Sequence, residues 1–245
     1  MSYTRIIHNY VSYALELLFP TTCVSCGAFG SFLCGSCALT IPLAEPACFV
    51  CNARRPSGSI CAGCRVHTLY LTRVWWAVTY DNELIRNTLT QFKYNGNRSL
   101  GESLAMYIVA SARKRAQAHG IHFPSHAALL AMPLHPRKKR MRGFNQSELL
   151  ASHVSHSLGL PLIPHETLER TRNTPPQAQT GGREKRMRNM VNAFTVPQEH
   201  AALIQNKTVI LVDDIATTGS TLNNAARALK KAGAAHVWGL VVAKG

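Results

Sequence analysis

Eight cysteines constrain this chain more than any other feature. All lie between Cys23 and Cys64, in four units of identical spacing: Cys23-Val-Ser-Cys26, Cys34-Gly-Ser-Cys37, Cys48-Phe-Val-Cys51 and Cys61-Ala-Gly-Cys64. The gaps between units are 7, 10 and 9 residues. A two-residue spacer lets both thiolates of a knuckle face one ion, and two knuckles complete a tetrahedral shell with Zn–S distances of about 2.3 Å. Four knuckles therefore specify two zinc ions, each held by four cysteines. Spacing alone permits a sequential pairing, Cys23, Cys26, Cys34 and Cys37 on one ion and Cys48, Cys51, Cys61 and Cys64 on the other, or an interleaved, cross-braced one. The rival reading, a disulfide framework, suits an exported chain. Here the first twenty residues are interrupted by His8, Asn9 and Glu16 and lack the apolar core and cleavage site of a signal peptide. A redox pair would need only one such motif. Some forty residues with few large apolar side chains cannot fold on a hydrophobic core alone, so folding of this module is linked to metal binding.

Residues 1–20 are expected to form a short amphipathic helix ending at Pro20, residues 21–66 the zinc module, and residues 67–245 a separate α/β domain. The 245 residues are 46% hydrophobic, enough for a packed core, which excludes disorder as the main state. No run approaches the roughly 20 apolar residues needed to cross a bilayer, and the chain reads as cytoplasmic. After Cys64 the pattern alternates. Residues 70–80 are β-branched and aromatic and predict a strand, with Trp75 and Trp76 as packing residues. Asp81 can cap a helix carrying Leu84, Ile85, Leu89 and Phe92 and ending near Asn95-Gly96. A second helix is expected over 100–118, a buried strand over 127–132, a basic loop, and a helix through 148–151. A polar stretch over 164–193 has no apolar period. A buried strand over 207–212, a helix over 221–231 and a strand over 236–242 complete the chain. Strands alternating with helices specify an α/β fold with a mostly parallel sheet.

The segment Val209-Ile-Leu-Val-Asp213-Asp214-Ile-Ala216-Thr217-Thr218-Gly219-Ser220-Thr221 carries the chemistry. An apolar strand ends in two carboxylates, then a hydroxyl-rich loop leads into a helix. The first turn of that helix offers unpaired N–H groups at the positive end of its dipole, which suits a phosphate. Thr217, Thr218, Ser220 and Thr221 add hydroxyls, Gly219 admits close backbone approach, and the carboxylates can accept from vicinal ribose hydroxyls. No Gly-Lys-Ser/Thr follows, so this is not a Walker loop.

The thirteen positions resemble the signature of type I phosphoribosyltransferases. The resemblance implies that Asp213 and Asp214 hold the ribose hydroxyls of phosphoribosyl pyrophosphate (PRPP). It also implies that Ala216, Thr217, Thr218, Gly219, Ser220 and Thr221 wrap its 5′-phosphate, with Mg²⁺ bridging ribose and pyrophosphate. It narrows further. Pro133-Leu-His-Pro-Arg137-Lys-Lys-Arg140-Met-Arg142-Gly143-Phe144-Asn145-Gln146 is similar to an element of the ComF/ComFC (GntX-like) competence proteins, which also carry an N-terminal CxxC module. That likeness implies a type I phosphoribosyltransferase-like domain (Rossmann-like, with a mostly parallel sheet) behind a double zinc module of two four-cysteine sites. It makes Arg137 and Arg142 candidates for the diphosphate, and Lys93, within Gln91-Phe-Lys-Tyr94, a pocket residue. The flexible-loop pattern fits at Arg186, Asn189 and Ala193-Phe194 but departs around Gln177 and Gln179.

Only 24 residues follow Thr221, one helix and one strand, so no C-terminal hood over a base is expected. PRPP binding is therefore better supported than turnover. Charge adds a second ligand. The formal net charge is +15, and residues 67–245 hold 23 cations and 10 acids. Lys138, Lys139 and Arg140, with Arg183, Lys185, Arg186 and Arg188, are expected to form a basic strip for a nucleic-acid backbone. The zinc module itself, with four cations and two acids in residues 1–66, is a poor DNA clamp. The function implied is a ComFC-like protein of natural transformation. It would handle incoming single-stranded DNA, alongside other competence proteins, with PRPP in its pocket. The alternative is a working phosphoribosyltransferase with an unknown acceptor. A zinc-ribbon transcription regulator ranks third.

Overall fold

A computed structural model describes residues 20–67, 70–94, 96–171 and 193–245. The expected helix over 1–20 lies outside them apart from Pro20. In chain order the elements are α1 (Gly35–Leu39), β1 (Arg73–Thr79), α2 (Glu83–Tyr94), α3 (Leu100–His119), β2 (Ala127–Ala131) and α4 (Pro136–Arg142). They continue with α5 (Gln146–Leu158), β3 (Glu169–Arg170), β4 (Phe194–Thr195), β5 (Thr208–Ala216), α6 (Ser220–Lys231) and β6 (His236–Lys244).

Four strands make one parallel sheet in the order β1-β6-β5-β2, and β3 pairs with β4 as a small antiparallel ribbon. A parallel strand needs cover on both faces, and β5 shows how this is achieved. Ile210 and Val212 face a layer built with α2, α3 and α5, while Val209 and Leu211 face Leu222, Ala225, Ala226 and Leu229 of α6. The period of two along the strand and the period of 3.6 along α6 thus meet in one packed layer. Trp75 and Trp76, adjacent on β1, likewise enter opposite layers. Trp75 packs on Phe123 and Trp238 with ring centroids 5.0 and 5.5 Å away, and Trp76 meets Phe49 of the cysteine-rich segment at 5.9 Å.

The cysteine-rich segment covers the free edge of β1. Ala44 N–H donates to Ala77 O at 2.7 Å, and Ser59 bridges Arg73. Its first half sends Leu33 and Ile41 into the α3 layer, and its second half sends Cys48, Phe49 and Ile60 into the α6 layer. The other sheet edge, at β2, is covered by residues 161–163, with Leu129 N–H donating to Pro161 O and Ile163 N–H to Leu129 O, both at 2.8 Å. Neither edge is left open to pair with another chain.

Three local expectations need correction. Asn82, not Asp81, caps α2, its Oδ1 accepting from Ile85 N–H at 3.1 Å. The strand expected over 207–212 continues through both aspartates to Ala216. The basic stretch after Pro133 is not a loop but α4. His135 Nδ1 caps it by accepting from Arg137 N–H at 3.2 Å, Pro136 sits in its first turn, and Gly143 closes it with φ of 76°.

Gly239, in the middle of β6, has little room for a side chain: a Cβ there would lie 3.1 Å from Leu222 Cδ1 and 3.2 Å from Val74 Cγ1. Gly239→Val should therefore wedge α6 and β1 away from the sheet and cost about 1–3 kcal/mol, read as a lower urea midpoint in equilibrium unfolding.

Candidate functional site

The cysteines resolve into two clusters, Cys23, Cys26, Cys34 and Cys37, and Cys48, Cys51, Cys61 and Cys64, each with its sulfurs within 4.8 Å of one another. The pairing is sequential, not cross-braced. The first knuckle of each cluster repeats with an offset of 25 residues and the second with an offset of 27. Cys23 N–H donates to Ala28 O and Cys48 N–H to Ala53 O, both at 2.8 Å, and the residue after each second cysteine, Gly27 or Asn52, has positive φ. Only glycine and asparagine adopt that conformation readily, so the repeat hides behind unlike residues. Cys34 N–H points at Cys23 Sγ and Cys61 N–H at Cys48 Sγ, each 3.5 Å away. Burial would raise the Cys23 and Cys48 thiols, but the backbone N–H groups aimed at them prevail and bring both down to about 6. Four sulfurs in reach of one point, one of them in each cluster already met by backbone N–H donors, fit a tetrahedral Zn²⁺.

The second centre of interest stands at the carboxyl end of β5. Asp213 Oδ1 accepts from Ser147 Oγ and from Asp214 N–H, both at 2.9 Å. Asp214, 8% exposed, lies 3.0 Å from Lys93 Nζ at the end of α2. Burial, then the neighbouring Asp214 carboxylate, push Asp213 up to about 7, against the opposing pull of the Asp214 N–H, Ser147 and Lys93. Beyond Ala216 the chain turns through the exposed Thr217 and Thr218. Gly219, with φ of 71°, then opens α6, where the Thr218 and Ser220 hydroxyls share a 2.8 Å hydrogen bond.

The α4–α5 corner supports the acid pair. Asn145 Oδ1 caps α5 at Ser147 N–H (3.1 Å), while its amide donates to Met132 O at the end of β2 (3.0 Å) and to Glu148 (3.1 Å). This fixes Ser147 under Asp213. Helical spacing then sorts the cations of α4. Lys138 and Arg142, four residues apart, share one face. The half-buried Lys138 has its ammonium pKa held low by burial and then by the charges of Arg170, Arg142 and Lys93, so these four cations are near one another, with Lys93 itself on Asp214. Arg170, on β3, is held low by burial and drawn the other way by Asp213. Arg142 donates to Gln146 Oε1 at 3.0 Å and stands 5.1 Å over the Tyr94 ring. Arg137 and Arg140 are exposed, and Lys139 pairs with Glu148 at 3.1 Å.

The expected site residues Lys93, Arg142, Asp213, Asp214 and Ala216 to Thr221 thus come together at one end of the sheet, whereas Arg137 faces solvent. Of the expected basic strip on α4, Arg140 is exposed, Lys138 is half-buried, and Lys139 pairs with Glu148 while staying part exposed. Arg183, Lys185, Arg186 and Arg188, with Gln177 and Gln179, lie outside the described residues. Sequence reasoning does not single out Ser147 or Arg170. Ser147 could have been found as the first position after the Asn145-Gln146 motif, but Arg170 has no local signal.

Known proteins bear on this arrangement. Residues 146–244 match the phosphoribosyl transferase domain family, and residues 14–65 match the double zinc ribbon domain family. Competence protein F of Haemophilus influenzae is 30% identical over 154 residues, 62% of this chain and 65% of that protein. DNA utilization protein YhgH of Salmonella typhimurium is 32% identical over 147 residues, 60% of this chain and 61% of that protein. The chain therefore spans less than two thirds of the length of these two relatives. Competence protein ComFC of Bacillus subtilis is 26% identical over 193 residues, 77% of this chain and 73% of that protein.

The raised Asp213 carboxyl has a sign that can be tested. In the unfolded chain it ionises near its ordinary value of 3.8, while in the folded chain it holds its proton to about 7. Between those values the folded state binds more protons, so its contribution to stability is full below the lower value and lost as pH rises through the upper one. Asp213→Asn, which keeps an acceptor for Ser147, should flatten that decline and be more stable than the unaltered chain at pH 8, measured by urea unfolding.

Proposed function

We propose that the chain is a ComF/ComFC-like competence protein that binds a 5-phosphoribosyl compound, PRPP with Mg²⁺, while acting on single-stranded DNA during uptake. One observation carries the first half: two adjacent carboxylates stand beside a hydroxyl-rich turn into a helix, with Lys93 on Asp214, Arg170 drawn on by Asp213, and Lys138 and Arg142 near those two cations. Four cations against two acids leave positive charge that a diphosphate can neutralise. In this reading the Thr217–Thr221 turn takes the 5′-phosphate through backbone N–H and hydroxyl donors. Asp213 and Asp214 accept from the ribose hydroxyls, and the four cations face the diphosphate. Lys93 must leave Asp214 for the sugar to enter, which frees its ammonium for the phosphate. When bound, Mg²⁺ would offset diphosphate charge with oxygen ligands. Arg137, at the solvent side of α4, meets ligand only at the rim.

The second half rests on the names of the relatives, Competence protein F, DNA utilization protein YhgH and Competence protein ComFC, together with the formal charge of +15. The exposed Arg137 and Arg140, with Arg183, Lys185, Arg186 and Arg188, are the proposed phosphate contacts on DNA. Among the described residues no helix is long and apolar enough to cross a membrane. Eight reduced thiols in two metal sites suit the cytoplasm. A phosphoribosyltransferase acting on an unidentified acceptor is the second reading, favoured by the intact acid pair.

Titration calorimetry with PRPP and Mg²⁺ should show binding that Asp214→Asn weakens by about tenfold or more, as expected when a charge-assisted hydrogen bond is lost. An unaltered chain that takes up no PRPP would refute the pocket. Single-stranded DNA should bind with an affinity that falls steeply with salt. No binding at low salt would remove the DNA half. Pyrophosphate release with any of a panel of nucleobases or nucleotides would select the transferase reading.

A further inference from the structure

We propose that the second four-cysteine centre is the back wall of the sugar-phosphate turn, with Phe49 as its positioning residue, so that metal at that centre sets the affinity of the turn for a phosphate. This deepens the reading above and rests on it for its ligand, but not for its geometry.

Phe49 lies between two of the cysteines, Cys48 and Cys51, and is 3% exposed. Its ring is seated on Gly219, where a Cβ would come within 2.8 Å of Phe49 Cε1. Gly219 is the residue whose left-handed conformation opens α6. A second tie comes from the other end of the turn. Asn52, immediately after Cys51, accepts a hydrogen bond from Lys244 Nζ. The same ammonium stands 5.0 Å from the Phe49 ring centroid and 4.9 Å from that of Trp76. Lys244 is in register with Ala216, and Gly245 N–H donates to Ala216 O at 3.1 Å. Tyr70 N–H, a few residues beyond Cys64, donates to Asn223 Oδ1 in the first turn of α6 at 3.3 Å. Thus residues 216, 219 and 223, before, within and after the turn, are each tied to the second knuckle pair, its flank or the strand end that the knuckle holds.

The first four-cysteine centre has a different seat. Tyr107 Oη donates to Ala38 O at 2.8 Å, Lys114 pairs with Glu45 at 2.8 Å, and Leu33 and Ile41 join the layer on the opposite face of the sheet. The two centres are alike in local geometry and unlike in what they touch, so the coupling belongs to one of them. A knuckle folds on its metal. Without the ion, the knuckle backbone that sets the angle of Phe49 behind Gly219 loses its anchor and only the contacts with Trp76 and Lys244 remain, so the turn must be ordered more fully at the moment of binding, which lowers affinity.

The experiment uses the full chain loaded with zinc. It reads hydrogen–deuterium exchange of residues 216–222, zinc content, and calorimetric binding of ribose 5-phosphate. Phe49→Ala should keep two zinc ions per chain yet speed exchange in the turn by about tenfold, as local opening becomes easier. It should also weaken ribose 5-phosphate by about tenfold as preorganisation is lost. Phe49→Tyr, which keeps the ring, should restore both. Cys51→Ser should lose one zinc and reproduce the effect on the turn. Tyr107→Phe, which loosens only the seat of the first centre, should leave the turn unchanged. Exchange in 216–222 that stays as in the unaltered chain for Phe49→Ala, or that Tyr107→Phe speeds as much, would overturn the proposal. If the unaltered chain fails to bind ribose 5-phosphate while exchange still follows Phe49 and Cys51, the coupling stands and the ligand reading falls.

Discussion

Strand β5 is buried on both faces for its first five residues, and the chemistry of the molecule is assembled where that burial stops. A strand with apolar layers on each side cannot shift by one residue without exchanging every side chain between layers. The register of β5 against β2 and β6 therefore determines where Asp213 emerges, and with it the start of the turn into α6. In parallel α/β sheets, ligands settle beyond the carboxyl ends of the strands, because loops there are free of the packing that the strands require. Here that end receives the close of α2, the α4–α5 corner and β3, which bring Lys93, Ser147 and Arg170 to the acid pair from three separate segments, with Lys138 of α4 near the two cations.

The acid pair works against folding. Two carboxylates side by side repel, and burial favours the neutral form of Asp213. The surrounding cations do not cancel this arrangement evenly. Lys93 is engaged by Asp214, while Asp213 is answered mainly by neutral donors, Ser147 and a backbone N–H. Groups held in a costly state at the end of a well-packed strand are what a binding site looks like before its ligand arrives. The same logic separates this end of the sheet from its layers, where nearly every group is apolar.

Legibility from sequence follows the density of apolar residues. β2, β5, α6 and β6 are readable because their burial writes a run or a period into the chain. The acid pair and the turn are readable because acids, hydroxyls and glycine fall in one uninterrupted segment. Helix α4 escapes for the opposite reason. Pro136-Arg-Lys-Lys-Arg-Met-Arg142 has no apolar face to give a period, and its helical state is set by its ends, His135 and Pro136 at one and Gly143 at the other. Once it is a helix, cations that look interchangeable in sequence take three roles by angle alone: inward for Lys138 and Arg142, outward for Arg137 and Arg140, and across to Glu148 for Lys139. The position of Arg170 depends on a two-residue ribbon pairing with Phe194 and Thr195, a contact between distant segments that leaves no local trace.

The zinc ribbons approach the same relation from the other side. Sequence spacing identifies the metal sites at once but presents them as a module standing apart, because so few apolar residues lie among the cysteines. Those few are the ones that matter for the rest of the chain. Leu33 and Ile41 complete one layer of the sheet and Phe49 and Ile60 the other, while the segment between the ribbons hydrogen-bonds along the edge of β1. A segment too small to enclose its own core has placed its large side chains in its neighbour's, and each ribbon contributes to a different face. Metal binding therefore does more than fold forty residues. By completing both layers at the β1 edge it shapes the surface against which α6 and its preceding turn are packed, so the cysteines and the aspartates, 149 residues apart from Cys64 to Asp213, belong to one framework.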